Sequence, residues 1–202
     1  MSDQGARHGG AALWRLFCAV ELSDEVRARA AEHIASLREK LPDVRASWDR
    51  AEKLHVTLKF FGDVEEGRVP ALTLAAERAA NRVVPFTLTV ADAGAFPPHG
   101  PPRVLWLGVR DPSNELAQLQ QALEDECAAA GFKREERPFH PHLTIARPRT
   151  PKGAGQLAAL HKDYGFAPIE LSVTELVVIR SELNREGSRY TTISHHPLDA
   201  HV

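Results

Sequence analysis

Apolar residues crowd the segment from Leu13 to Leu22, where Trp14, Leu16, Phe17, Cys18, Val20 and Leu22 leave room only for Arg15, Ala19 and Glu21. Such a run reads as a buried strand. The period then lengthens: Val26, Ala30, Ile34, Leu37 and Leu41 recur at three- and four-residue steps. Behind Ser23, an N-cap residue followed by Asp24 and Glu25, they predict a helix to about Lys40 that Pro42 stops. Arg45 to Trp48 suits a short strand, and His55 to Phe61 a strong one ending at Gly62-Asp63. A helix is expected from Pro70 to Asn81, with Pro70 in its first turn. Strands with a period of two follow at Phe86 to Ala91 and Arg103 to Val109, joined through the turn-rich stretch Phe96 to Pro102. Asp111 to Ala130 predicts a long helix with Leu116, Leu119, Leu123 and Cys127 on one stripe and Gly131 at its C-cap. A strand from His142 to Ala146, a short helix near Gly155 to Leu160 and a strand from Ile169 to Arg180 come next. Last is a hairpin turning through Asn184 to Gly187 into Tyr190 to Ser194.

Strands and helices mix without the steady alternation of a doubly wound sheet, which predicts an α+β fold with antiparallel sheets. The order strand, helix, strand, helix occurs once in each half, and no composition shift marks a linker. Two closely packed lobes in one domain, residues 13–202, are therefore expected, preceded by a Gly/Ala-rich leader over residues 1–12.

Hydrophobic content of 43% and charged content of 26% are ordinary for a globular protein. The net charge of −2 excludes a global positive field, so any phosphate-binding surface must be a local patch. Cys18 and Cys127 read as reduced core thiols, since two cysteines make no disulfide scaffold in 202 residues. No apolar run reaches the roughly 18 residues that span a bilayer, and a cytoplasmic monomer with no membrane contact is expected.

Chemistry enters with a repeat. His55-Val56-Thr57-Leu58 and His142-Leu143-Thr144-Ile145 both read His, aliphatic, Thr, aliphatic. Given the His and Thr content, chance supplies roughly 0.05 such tetrapeptides per chain of this length, and two stand well above noise. In a strand, residues i and i+2 share a face. Val56, Leu58 and Phe60 should thus face a core while His55, Thr57 and Lys59 face away; Leu143 and Ile145 should point inward, His142 and Thr144 outward. Each strand then presents one imidazole and one hydroxyl. In-line cleavage of a phosphodiester needs a base on the attacking oxygen and an acid on the leaving oxygen, and histidine, with a pKa near ~6.5, does either at neutral pH. Threonine hydroxyls can donate to the non-bridging oxygens where charge accumulates. The near-symmetric motifs do not say which imidazole is acid and which base, and the chemistry calls for no metal or cofactor.

The chain resembles the 2H phosphoesterase superfamily, and within it the bacterial and archaeal RNA 2′,3′-cyclic phosphodiesterases once described as 2′-5′ RNA ligases. Carrying the resemblance are Arg15 to Leu22, His55 to Gly62, Pro138 to Arg147, Glu182-Leu183 and Gly187 to Tyr190. It implies a bilobal fold of two pseudo-symmetric lobes, each with an antiparallel sheet and flanking helices, and an active site in the central cleft. It further implies His55 as proton donor to the leaving 3′ oxygen, His142 as the base that activates water, and Thr57, Thr144 and Arg147 as substrate-binding residues. RNA ends bearing a 2′,3′-cyclic phosphate are the implied partners, and the product is a 2′-phosphomonoester. Strand parity turns Arg147 toward the core, so its role requires a bend before Pro148.

Other residues compete for parts in this picture. His140 shares a face with His142, and Lys59 could reach the cleft. Lys133, Arg134, Arg137, Arg147, Arg149 and Lys152 flank the second motif as a basic cluster, and Phe61, Phe96 and Phe139 are candidates for base stacking. The competing functions are 2′-5′ ligation or 2′-5′ phosphodiester cleavage on other small oligonucleotides, and a non-catalytic RNA-binding module. A zinc site from His55, His99, His140 and His142 is a weaker alternative, lacking carboxylate or Cys at ligand spacing.

Overall fold

The computed structural model describes residues 12–184 and 187–199; residues 1–11 of the expected leader, and Arg185 and Glu186 of the expected hairpin turn, lie outside the described residues. In chain order the elements are β1 (Leu13–Glu21), α1 (Asp24–Lys40), β2 (Ala46–Trp48), β3 (His55–Glu65), α2 (Val69–Ala80), β4 (Phe86–Phe96), β5 (Val104–Arg110), α3 (Glu115–Ala129), β6 (His142–Pro148), α4 (Ala154–Tyr164), β7 (Ile169–Val173), β8 (Glu175–Asn184) and β9 (Gly187–Pro197). They form two antiparallel sheets, ordered β3-β1-β8-β9 and β2-β6-β5-β4-β7. The fold is α+β and bilobal, as the mixed element order predicted.

One helix from each sheet packs on the other lobe. α1 follows β1 of the first sheet but contacts α4 and β7 of the second, whereas α3 follows β5 of the second sheet and contacts β3 of the first. α2 lies against α3, β8 and β9, and α4 against β4. This exchange explains the lack of a linker: the lobes are tied through their own helices. β1-α1-β3 and β5-α3-β6 are then equivalent halves, each ending in an antiparallel strand that opens on a His-x-Thr motif.

Local signals set the helices. The Ser23 hydroxyl oxygen accepts from the Val26 backbone N–H at 3.3 Å, and Val26, Ala30, Ile34 and Leu37 are buried at helical spacing. The predicted stripe of α3, Leu116, Leu119, Leu123 and Cys127, is buried. Its start, expected at Asp111, falls at Glu115, because Pro112 and the left-handed Asn114 (φ 66°) make a turn in which Asp111 Oδ2 accepts from the Ala117 N–H at 3.1 Å. Cys18 and Cys127 are buried and unbridged. Burial raises both thiols, Cys127 to about 12.

Two strand expectations are corrected. The run Ile169 to Arg180 is not one strand: β7 pairs with β4 in one sheet and β8 with β1 in the other, with the chain crossing at Thr174. β7 buries only alternate residues, Ile169, Leu171 and Val173, whereas Leu176 to Ile179 of β8 are all buried, so the period changes where the chain crosses. β3 continues past Gly62 to Glu65, because Gly62 adopts φ 72° at a register shift and lets the ladder resume rather than end.

Candidate active site

Each His-x-Thr strand contains a bulge at the last residue of its motif. Along β1 and β3, Ala19 faces Thr57 while Cys18 faces Lys59, so Leu58 is the extra residue. Along β5 and β6, Trp106 faces Thr144 while Leu105 faces Ala146, so Ile145 is extra. One inserted residue flips the faces of everything after it. Leu58 and Lys59 are therefore both buried, and Phe60 comes out opposite Phe17 with 44% exposure. Ile145 and Ala146 are likewise both buried, and Arg147 emerges exposed. The bend required for Arg147 is this bulge. The expected orientations of Lys59 and Phe60 are reversed for the same reason.

His55, Thr57, His142, Thr144 and Arg147 all line one cleft of about 750 Å³ between the lobes. The two imidazoles are held alike. His55 Nδ1–H donates to the Lys53 carbonyl and His142 Nδ1–H to the His140 carbonyl, each at 2.7 Å and each two residues back along the chain. Both rings are thereby fixed in the tautomer that leaves Nε2 for a substrate. Aromatic side chains seat them. Phe17 stacks on His55 at 4.7 Å and Tyr190 meets it edge-on at 5.6 Å, while Phe96 meets His142 edge-on at 5.3 Å. Phe96 in turn leans on Trp106, which lies across Gly94 so closely that a Cβ there would sit 2.2 Å from the indole.

Burial lowers the pKa of His55, and the charges of Arg147 and Arg27 add to the effect, while the bond to Lys53 opposes it. Arg147 Nη1 donates to Asp49 Oδ2 at 3.2 Å, which aims the guanidinium. Burial raises the Asp49 carboxyl against the pull of Arg147. Tyr190 is raised by burial and by Asp49.

The remaining candidates lie elsewhere. Lys59 points into the first lobe and donates to both carboxylate oxygens of buried Glu124, at 2.8 and 2.7 Å. Lys133, Arg134 and Arg137 pair with Glu136, Asp125 and Glu135 and line a separate hollow. His140 is exposed and contributes its carbonyl. Phe61 packs on Phe132, and Phe139 joins the core. Among the described residues no group of three or more His, Cys, Asp or Glu is arranged to hold a metal ion, so the four-histidine zinc alternative has no ligand set there. Phe17, Trp48, Asp49, Phe60 and Tyr190 were missed. Sheet register brings Phe17, Trp48, Phe60 and Tyr190 to the cleft and Asp49 follows directly on β2, its N–H donating to the Ile145 carbonyl at 2.9 Å; no local pattern signals any of them.

The architecture defines a pseudo-symmetric two-lobed α+β protein with one His-x-Thr strand from each lobe on a shared cleft. The chain belongs to the 2′-5′ RNA ligase superfamily, whose family model matches residues 24–185. It is 34% identical over 180 residues to the RNA 2′,3′-cyclic phosphodiesterase of Methanothermobacter thermautotrophicus, covering 88% of this chain and 95% of that protein. The Escherichia coli protein of the same name is 34% identical over 179 residues, covering 89% of this chain and 93% of its own length. Among solved structures, TT0787 of Thermus thermophilus superimposes with a TM-score of 0.76 at 28% identity over 92% of this chain and 98% of that one. E. coli LigT in its apo form gives 0.70 at 33% identity, over 93% and 98%.

Proposed function

We propose that this chain is a phosphodiesterase that opens RNA 2′,3′-cyclic phosphate ends to 2′-phosphomonoesters by metal-independent acid–base catalysis with His55 and His142. His142 takes a proton from water, and the water oxygen attacks phosphorus in line with the bond to O3′. That bond breaks as the His55 imidazolium gives its proton to O3′, leaving a 3′ hydroxyl and a 2′ phosphate. Thr57 and Thr144 donate to the non-bridging oxygens, and Arg147 neutralises the charge that gathers there. Burial lowers the pKa of His55 in the free protein, and an incoming phosphate anion favours the charged ring and raises it again.

The observation that carries this reading is the shared tether. Both rings give up Nδ1 to a carbonyl two residues back and keep Nε2 for one common cleft. The relatives named RNA 2′,3′-cyclic phosphodiesterase support the substrate class. The test is a ³¹P NMR analysis of the product from an oligoribonucleotide with a 2′,3′-cyclic end, run with and without a strong chelator. A 2′-phosphate formed at an undiminished rate in chelator is expected. A 3′-phosphate, or activity lost to the chelator, contradicts the proposal.

A further inference from the structure

The cleft does not end at the two histidines. Past β2 it continues into a second hollow of about 790 Å³, formed by the last turn of α1 and the segment 41–46. The two share Arg38, Ala46, Trp48 and Arg149 as walls, while Arg45 faces the hollow alone.

Pairing separates this cationic surface from the other basic cluster. Lys133, Arg134 and Arg137 are neutralised by neighbouring acids. Arg38 and Arg45 are exposed and have no ion-pair partner among the described residues, with Glu39 the one acid on that wall. Arg149 spends Nε on the Ser47 hydroxyl at 2.8 Å, which orients its guanidinium. Trp48 is half-buried, packed against the core on one side and open to both hollows on the other. In a chain of net charge −2, unneutralised arginines beside a half-buried indole with one open face form the local patch that a single-stranded nucleic acid requires.

A 2′,3′-cyclic phosphate closes the 3′ end of a strand, so the rest of the strand leaves through its 5′ oxygen. Every added nucleotide brings one phosphate and one base. We infer that the hollow bounded by Arg38, Arg45, Trp48 and Arg149 is a subsite for the nucleotides 5′ of the cyclic end, with the arginines meeting phosphates and Trp48 stacking a base. The inference rests on the proposed substrate and adds a length preference: oligonucleotide ends are taken over cyclic mononucleotides.

Arg45→Glu is the informative change, because Arg45 is exposed and touches only the hollow; Arg45→Gln serves as the milder companion. The ratio of kcat/KM on a cyclic-ended tetranucleotide to that on a 2′,3′-cyclic mononucleotide is expected to fall roughly tenfold in Arg45→Glu, with a smaller fall in Arg45→Gln. Binding of a fluorescein-labelled tetranucleotide ending in a 2′-phosphate should weaken in parallel, and the slope of log Kd against log salt should shrink by about 0.7 for one lost phosphate contact. An unchanged ratio together with an unchanged binding curve overturns the subsite. Failure of the proposed reaction reads differently: no cyclic end is turned over, while the binding difference between the parent and Arg45→Glu persists and upholds the subsite.

Discussion

Removing the Nδ1 proton of each imidazole from competition is the main thing the surrounding chain does at the residue scale. A ring free to rotate or to swap tautomers spends much of its time presenting the wrong nitrogen, and the carbonyls of Lys53 and His140 prevent this. Replacing either His55 or His142 by Ala is expected to lower kcat by about 10²- to 10⁴-fold with an unchanged far-UV circular dichroism spectrum. In the proposed mechanism the two rings act on one phosphate, so the double variant should fall little below the worse single one. Nearly full turnover from either single variant would rule out paired catalysis.

At the element scale the decisive features are the bulges at Leu58 and Ile145. Each turns the next residue into a lobe and the one after it onto the cleft, which buries Lys59 and exposes Phe60 and Arg147. Lys59 then binds Glu124 of α3 and the Lys133 carbonyl at 2.9 Å, fastening β3 to the helix that comes from the other lobe. Removing one member of a buried pair leaves an uncompensated charge. Lys59→Met is expected to cost about 3–5 kcal/mol by urea denaturation, and adding Glu124→Leu should recover most of it. The two imidazoles and hydroxyls were legible in the sequence because a strand's period of two is local and the motif repeats. Residues beyond each bulge were not, since register depends on β1 and β5, far away in the chain. Phe17 and Tyr190 at His55 escaped notice for the same reason.

Across the whole molecule, the exchanged helices make each lobe depend on the other. A buried histidine pair marks one such junction, where α1 meets α4. His161 Nε2–H donates to the Trp106 carbonyl at 3.0 Å, which leaves its Nδ1 to accept from His33 Nε2–H at 2.8 Å. His161 must be neutral to accept at Nδ1, a charge on His33 would lie against its buried neighbour, and burial lowers both rings, His33 to about 4. With the folded value below the unfolded one near ~6.5, the contribution to stability is complete above that pH and is lost as pH falls toward about 4. Thermal melts should show Tm dropping across this window in the parent protein and changing less in His33→Phe, and equal slopes would count against the pair. Charge is distributed on the same scale. The cations of the 133–137 segment are spent on acids and Arg147 of the cleft pairs with Asp49, whereas Arg38 and Arg45 on the cleft's extension have no ion-pair partner among the described residues.

Convergence of both imidazoles on a single phosphate is tested most directly by ¹H–¹⁵N NMR of the histidine side chains while a nucleoside 2′-phosphate is titrated in. The Nε2 signals of His55 and His142 are expected to shift together with one dissociation constant, and the lowered pKa of His55 should rise as the anion binds. A response from only one of the two rings, or two unrelated dissociation constants, would contradict a shared site.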